Sequence, residues 1–307
     1  MAFSVMFHHF HNDTHPKSQG SISGDQFENI IDWLETRFNL LDASDFSNRL
    51  ENNTLKENDI CLSFDDSLLC QFQIAFPILC KRKIKAFFFV YTSIFTDKPD
   101  LLEIYRLFRN TQFNSVDSFY EEFFKKVENL SFSENLKHWN YFKKIGYLKD
   151  FSFYSRNDKW FRYLRENYLG EKYHKFMKEM MSEHNFNIER ESQNLWMTKE
   201  NLKELDFYGH TIGLHSHSHP TKITSFTYGE QLEQYEENLF ILKEILGRNN
   251  IKSMSHPCGE YNSDSLKILK GLGVKIGFRS NMRTKEIKSN LEIPREDHAN
   301  ILKLIKS

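Results

Sequence analysis

Short apolar runs alternate with amphipathic segments along most of the chain. Seven runs rich in Phe, Val, Ile and Leu predict β-strands: "FSVMFHHF", "DICLSFDD", "KAFFFVYTSIF", "TIGLHSHSH", "IKSMSHPCG", "VKIGFRSN" and "LEIPRED". Between them, five segments with apolar residues at helical spacing predict helices: "GDQFENIIDWLETRF", "SLLCQFQIAFPILCKRK", "TKENLKELDFYG", "YGEQLEQYEENLFILKEILG" and "SDSLKILKGLG". This alternation is typical of an α/β fold with a parallel sheet or barrel.

The alternation stops between residues 97 and 196. This stretch has Gly146 and Gly170 as its only glycines, is dense in Phe, Tyr, Lys and Glu, and predicts several helices without a strand of comparable quality. We therefore expect one barrel domain over 1–307, with a helical insertion at 97–196. The insertion is a candidate lid over a substrate groove or a candidate interface of a homo-oligomer, although its aromatic residues favour core packing over binding of a sugar.

The charge balance excludes the simplest argument for a nucleic-acid or anionic-membrane partner, because 41 basic residues nearly cancel 42 acidic ones. The chain has no apolar run of about 18 residues that would span a membrane. Its first residues lack a basic segment, a complete apolar segment and a cleavage site, so we expect a cytoplasmic protein. The four cysteines have no CxxC spacing, which favours free thiols over disulfides or a thiolate zinc site.

Polar side chains follow the apolar part of three predicted strands. They are Asp65 and Asp66, then His215, His217 and His219, and then His256. Because the carboxyl ends of parallel barrel strands share one face, these residues are expected to form one site.

Two histidines and one carboxylate are the ligand set of many catalytic metal centres. His215 and His219 are four residues apart and precede Pro220, so one tight turn can aim both rings at one point. Asp65 or Asp66 would complete the set, and the other carboxylate would accept a proton from an attacking water. Adjacent carboxylates serve one site only where the strand ends or bulges.

Each of these features alone has a simpler interpretation. A lone pair of aspartates is more often a helix cap or a solvated turn. Alternating histidines at an exposed strand end are often solvated as well. Their joint occurrence at the ends of several strands favours the metal site.

Four motifs carry a resemblance to a known family. "SFDDS" at 63–67 resembles the T/S-F-D-D-G motif of the polysaccharide deacetylases, which are also called NodB-homology proteins or family 4 carbohydrate esterases, and "HSHSHP" at 215–220 matches their H-S/T-x-x-H-P motif. "SHPCGEYN" at 255–262 resembles their P-x-G-x-Y-N stretch, and "VMFHHF" at 5–10 resembles their first strand. The resemblance covers about residues 1–96 and 197–300.

The resemblance implies a distorted (β/α)7 barrel of the NodB type and a divalent metal that helps to remove acetyl groups from N-acetylated sugars. Position by position, Asp65 matches the general base, and Asp66, His215 and His219 match the metal ligands. Zinc is the expected ion, with nickel, cobalt and manganese as alternatives.

The resemblance also implies substrate-binding residues. Pro257, Gly259 and Tyr261 match a loop that lines the substrate groove, where a backbone amide would stabilise an oxyanion. His217 does not match a ligand position, so we expect it to line the groove or to support a ligand.

The sequence departs from the family pattern at three places. Ser67 stands where the family usually has glycine, which alters the turn after the aspartates. The arginine that orients the catalytic aspartate has Arg295 as its candidate, with Arg279 as the alternative. A guanidinium there would keep Asp65 ionised and aimed.

The third departure is the general acid, commonly a late L-x-H-D-like histidine that the chain lacks. His8, at the end of the first strand, and His298, in "IPREDHAN", are both candidates, and His256 is a third.

We therefore expect a hydrolase acting on the N-acetyl group of an amino sugar, with a cytoplasmic precursor or intermediate of surface-polysaccharide synthesis as its substrate. Deformylation of a formamido sugar is one alternative. A catalytically silent sugar-binding module is another, against which the intact Asp65 argues.

Overall fold

The structure is a computed structural model that describes residues 3–96, 99, 101–149, 154–282 and 286–306. The chain divides into two compact units. Met1–Asp100 and Asn194–Ser307 together form the first, here called the barrel unit, and Leu101–Gln193 forms the second, here called the helical unit. The predicted start of the insertion, at residue 97, lies outside the described residues.

The barrel unit contains one parallel sheet. Its described strands are β1 (Phe3–Phe7), β2 (Asn39–Leu40), β3 (Asp59–Phe64), β4 (Phe87–Val90), β5 (Thr211–Leu214), β6 (Ser253–Ser255), β7 (Ile276–Phe278) and β8 (Arg295–Asp297). The order along the sheet is β7-β6-β5-β4-β3-β1-β8, and β2 pairs with β3 outside this path. All strand pairs are parallel.

The segment that leads into β8 brings the two ends of the sheet together. Phe278 of β7 forms a parallel bridge with Ile293, and the Ser4 amide of β1 donates to the Pro294 carbonyl at 3.1 Å. The seven strands other than β2 thus form a nearly closed barrel, which confirms the predicted distorted (β/α)7 architecture.

The described α-helices, in chain order, are α1 (Gly24–Glu35), α2 (Ala43–Glu51), α3 (Phe76–Arg82), α4 (Leu101–Thr111), α5 (Val116–Glu128), α6 (Phe132–Ile145), α7 (Arg156–Leu164), α8 (Glu171–Glu183), α9 (Ile188–Glu191), α10 (Lys199–Phe207), α11 (Tyr228–Leu246), α12 (Ser263–Gly271) and α13 (His298–Lys306). In the barrel unit, α11 begins after Thr227, which forms a capping box with Glu230, and ends at Gly247, a left-handed cap with φ 61°.

The barrel helices differ from the prediction in two respects. The segment 67–83, predicted as one helix, contains a π-helix (Gln71–Ala75) before α3. The short helices α2 and α13 were not predicted. The sequence of α2 is rich in Ser, Asp and Asn, which have low helix propensity, and burial of Phe46 and Leu50 stabilises it instead.

Strand burial explains the continuous apolar runs in the sequence. All six residues of β3 are buried, as expected for a parallel strand covered on both faces. Phe7 of β1 stacks on Phe64 of β3, and Phe27 of α1 packs edge to face against both rings. The apolar part of each strand is therefore core, and chemistry is left to the strand ends.

The helical unit contains α4 to α9 and has its own apolar core. Phe119, Phe123, Phe161 and Tyr173 are buried there in mutual ring contacts. The described part of this unit contains no strand. Across the described chain as a whole, none of the helices combines the length and the apolarity that crossing a membrane requires.

Candidate active site

Polar side chains from five strands meet at the carboxyl-terminal face of the barrel. His8 follows β1, Asp65 and Asp66 follow β3, His215 follows β5, Ser255 ends β6, and Arg295 belongs to β8. This is the face where parallel barrels carry their active sites.

Asp66, His215 and His219 form a cluster whose ligand atoms all lie within 4.8 Å of one another. Asp66 Oδ1 is 3.4 Å from His215 Nε2 and 3.4 Å from His219 Nε2. Left-handed backbone conformations at Asp66 (φ 77°), Ser216 (φ 63°) and His219 (φ 52°) produce the tight turns that aim these side chains inward. Because β3 ends at Phe64, both aspartates after it can face the same site.

The orientation of the His215 ring is fixed by the strand next to it. Its Nδ1 donates to the Ser255 carbonyl at 2.8 Å, so Nε2 is the nitrogen left for Asp66 or a metal. Its main-chain amide donates to the side chain of Asn238, which also binds the Val90 carbonyl. His215 is therefore held through both its ring and its backbone.

Asp65 is bound by a fully buried arginine. Arg295 Nη1 and Nη2 each donate to one carboxylate oxygen of Asp65 at 2.7 Å, and Arg295 is only 1% exposed. Its remaining donors reach the Arg279 carbonyl and Ser255 Oγ, both at 2.7 Å, and Ser63 Oγ at 3.4 Å. The structure thus brings Arg295, rather than Arg279, into bidentate contact with Asp65.

Both carboxylates are kept ionised. Burial by itself would raise the pKa of Asp65, but the Arg295 charge, helped by His215 and His8, outweighs burial and lowers the pKa below its usual value. Burial would likewise raise the pKa of Asp66, but the adjacent His219 and His215 hold it well below its usual value.

The donor set of this cluster fits a divalent metal. Asp66 Oδ1 is buried and accepts no hydrogen bond from any described residue. The 3.4 Å separations from the two imidazoles are longer than an ordinary N–H···O hydrogen bond. One carboxylate oxygen and two imidazole nitrogens with open positions are a ligand set that zinc and its neighbours accept.

His8 lies beside both aspartates. Its Nε2 is 3.7 Å from Asp65 Oδ2 and 4.0 Å from Asp66 Oδ2, and its side chain is 29% exposed. A histidine with one face toward the carboxylates and partial access to solvent can exchange protons at this site.

The structure does not bring His298 to the cluster. Its Nδ1 faces the Met6 carbonyl at 3.2 Å and its Nε2 faces the Gly20 carbonyl at 3.0 Å, and its ring stacks on Phe7. Burial lowers its pKa. With both nitrogens directed at backbone carbonyls, this histidine links β1 and the loop before α1.

His256 is also held away from proton transfer. It is fully buried, its Nε2 donates to the Leu291 carbonyl at 2.9 Å, and burial lowers its pKa to about 3. Of the three histidines considered for the general acid, only His8 is placed beside Asp65.

The loop that follows β6 supports the barrel rim. Gly259 has φ 71°, and a Cβ at this position would overlap the Ser280 side chain, so only glycine fits. Its amide donates to the His256 carbonyl at 2.9 Å within the turn, which leaves that amide no role toward an oxyanion. Pro257, one residue after His256, is buried.

Tyr261 lies on the same loop. Its ring stacks on His256, with ring centres 4.2 Å apart, and its hydroxyl donates to Glu292 Oε1 at 3.0 Å. Burial and the adjacent Glu292 raise its pKa to about 12.

His217 is directed away from Asp66. Its Nδ1 lies 3.0 Å from Thr92 Oγ1 and its Nε2 lies 3.4 Å from Glu237 Oε1. Its carbonyl accepts from the amides of Thr92 and Ser93. His217 therefore connects the turn at 215–219 to the segment after β4 and to α11.

The residues that support the site were not identified from the sequence. Ser255, Asn238 and Gln71 are buried polar residues within strands or helices, and Thr92 is a buried polar residue just after β4. Polar residues at core positions are the only sequence signal they give.

Comparisons with known proteins agree with this architecture. The family model "Polysaccharide deacetylase" matches residues 165–277, a range that includes His215, His219 and the Pro257 loop but not the aspartates. A search of curated proteins gives no match.

Solved structures share the fold over nearly the whole chain. A deacetylase, PplD, from Streptococcus pyogenes in complex with acetate is 17% identical with a TM-score of 0.56, covering 100% of this chain and 98% of that one. IcaB from Ammonifex degensii is 14% identical with a TM-score of 0.59, covering 100% and 97%. A de-N-acetylase from Aggregatibacter actinomycetemcomitans is 13% identical with a TM-score of 0.55, covering 99% of each chain.

The expected resemblance is thus confirmed: residues 165–277 match the polysaccharide deacetylase family, and the chain shares its fold with deacetylases of known structure.

Proposed function

We propose that this protein is a metal-dependent hydrolase that removes the N-acetyl group from an amino sugar. The observation that carries the proposal is the pairing of two adjacent buried carboxylates in different surroundings. Asp66 faces the imidazoles of His215 and His219, whereas Asp65 is bound by Arg295. One carboxylate is thereby suited to bind metal and the other to accept a proton.

The solved structures with this fold support the reaction class. One is described as a deacetylase in complex with acetate, the product of deacetylation, and another as a de-N-acetylase. Because fold alone does not determine function, we base the assignment of this activity on the residues of the site.

Asp66, His215 and His219 would hold the metal, which supplies Lewis acidity toward the amide carbonyl and the attacking water. Asp65 accepts the proton of that water, and Arg295 keeps Asp65 ionised and in place. His8, beside Asp65, donates the proton that the departing amine needs. Zinc is our expectation for the metal, with nickel, cobalt and manganese as alternatives.

The assay must separate deacetylation from its two alternatives. Metal content of the purified protein would be measured, and release of acetate and formate would be followed with a panel of N-acetylated and N-formylated amino sugars, before and after treatment with a chelator. Acetate release that is lost with the metal and restored by adding it back is the expected result.

Formate release with no acetate release would favour the deformylase. Bound sugar with neither product would favour a silent binding module. The assignment to a cytoplasmic precursor of surface polysaccharide stays a prediction, to be examined by including nucleotide-linked and free sugars in the panel.

A further inference from the structure

Gln71 links the two residues to which we assign proton transfer. It is completely buried and is the first residue of the π-helix that follows the aspartate loop. Its side-chain amide Nε2 donates to the Asp65 carbonyl at 2.6 Å and to the His8 carbonyl at 2.8 Å. A primary amide has two N–H donors, so both are used, one on each residue.

These contacts continue the β1–β3 pairing beyond the last ladder bond. The Asp65 amide donates to the Phe7 carbonyl at 3.1 Å, and Phe7 pairs with Phe64 at the end of the strands. At His8, one residue beyond the end of β1, the side chain of Gln71 connects this segment to the one that follows β3. The backbone of His8 is thereby fixed relative to that of Asp65.

Gln71 is itself held in place. Its main-chain amide donates to the Leu68 carbonyl at 3.0 Å. The π-helix that Gln71 begins continues into α3, which packs in the barrel core. Such π-helical turns occur frequently at functional sites. Its Oε1 is buried and accepts no hydrogen bond from the described residues, an arrangement that costs stability.

We propose that Gln71 is a positioning residue that sets the place of His8 relative to Asp65, an inference that rests on the proposed function. The 29% exposed imidazole of His8 has fewer restraints of its own than the buried ligands have. Its distance of 3.7 Å from Asp65 Oδ2 therefore depends on where its backbone is held. A displacement of about 1 Å at a catalytic group costs as much as 10²-fold in rate.

The test compares Gln71→Met with Gln231→Met. Gln231 is equally buried and also donates to a backbone carbonyl, that of Phe226, but it belongs to α11 and binds Ser265. We expect Gln71→Met to lower kcat between about 10-fold and 10²-fold, with KM changed less than about 3-fold and metal content unchanged. Gln231→Met should cost stability but leave kcat near that of the wild type.

A double-mutant cycle with His8→Ala tests whether Gln71 acts through His8. Once the imidazole is absent, Gln71→Met should lower kcat no further. Equal effects of Gln71→Met in the presence and absence of His8, or an equal loss of kcat in Gln231→Met, would overturn the inference. If Gln71→Met does not fold, Gln71→Asn serves instead, since its shorter amide cannot reach both carbonyls.

A crystal structure of the Gln71 variant gives a result that does not depend on activity. His8 should be displaced or disordered while the Arg295–Asp65 pair remains. An unmoved His8 would contradict the inference even in an active enzyme. If instead wild-type protein releases neither acetate nor formate, the proposed function fails. The position of His8 in the crystal structure of the Gln71 variant would still decide whether Gln71 positions His8.

Discussion

Two buried aspartates, one in each unit, have opposite surroundings. Asp158 of the helical unit is 2% exposed and Asp66 of the barrel unit is 5% exposed. Asp158 accepts hydrogen bonds from the Tyr120 hydroxyl and from the Ser155 amide, the latter at 2.8 Å. Asp66 Oδ1 accepts none from the described residues and faces the His215 and His219 rings instead.

The comparison shows that burial of a charge does not by itself indicate a functional site. Asp158 occupies the third position of α7 and completes a capping box with Ser155, so its carboxylate satisfies donors of its own unit. Asp66 Oδ1 is buried without such a donor, an arrangement that leaves this oxygen available to a cation. The two aspartates thus differ in whether their oxygens accept hydrogen bonds, which is why we treat Asp158 as structural and propose Asp66 as a metal ligand.

The largest effect is expected from removing an imidazole beside Asp66. His215→Ala or His219→Ala should lose both bound metal and turnover, because only two protein ligands remain. The loss of metal affinity should exceed the roughly 10–100-fold that follows loss of a ligand's hydrogen-bond partner.

Metal analysis of the purified variants checks this expectation, with His217→Ala as the control. His217 belongs to the same motif but faces Thr92 and Glu237, so this variant should keep its metal. Full occupancy in both the His215 and His219 variants would end the ligand assignment.

The next effect separates the adjacent aspartates. Asp65→Asn should keep the metal but lose about 10²–10⁴-fold in turnover, because the amide cannot accept the proton of the attacking water. Asp66→Asn should weaken metal binding itself. Turnover and metal content of the two variants, measured side by side, check the roles, and the reverse pattern would exchange them.

Much of the barrel could be predicted because parallel strands are continuous apolar runs. All seven predicted strands occur, each shorter than the predicted run. β1, β3 and β5 end where the polar residues begin, whereas β8 consists of the polar residues Arg295–Asp297 at the end of its run. The two-residue strand β2 was missed, since so short a segment has no periodicity. The π-helix (Gln71–Ala75) was missed because its sequence continues the apolar pattern of α3.

Local sequence motifs predicted the part of the site whose residues lie close together in the chain. The spacing of His215 and His219 indicated a common target because one tight turn joins them. The choice between His8 and His298 depends on whether each ring faces the barrel mouth or a backbone carbonyl, and tertiary packing decides this. Ser255 and Gln71 were missed for the same reason, because their partners are remote in sequence.

Removing Asp158 tests the structural side of the comparison. Asp158→Ala should lower the free energy of unfolding by about 1–3 kcal/mol, because the buried Tyr120 hydroxyl and the Ser155 amide lose their acceptor. Metal content and turnover of the folded protein should stay unchanged. Urea unfolding of metal-free protein measures the change.

The matched variant is Asp66→Ala. In the metal-free protein it removes no hydrogen bond at the buried Oδ1, only the attraction between the carboxylate and the His215 and His219 rings, so it should cost less stability than Asp158→Ala. Equal destabilisation by the two substitutions would show that Asp66 is structural as well, and the comparison would fail.

The smallest effect concerns two serines in left-handed backbone at the site. Ser67 has φ 54° and Ser216 has φ 63°. Ser67 Oγ is buried without a hydrogen-bond partner among the described residues, whereas Ser216 Oγ accepts from the His219 amide at 3.2 Å. The two positions thus share backbone strain and differ in whether the hydroxyl is used.

Glycine at position 67 should relieve the strain and remove an unsatisfied hydroxyl, and these gains exceed its extra entropy in the unfolded chain. Ser67→Gly should therefore stabilise the protein by about 1 kcal/mol, seen as a higher urea midpoint with an unchanged slope. Ser216→Gly relieves the same strain but loses the bond to His219, so it should give no gain. Ser67→Ala keeps the left-handed strain and separates the two contributions. A gain from Ser216→Gly as large as that from Ser67→Gly would mean that strain alone sets the effect, and the unsatisfied Ser67 hydroxyl would then contribute nothing.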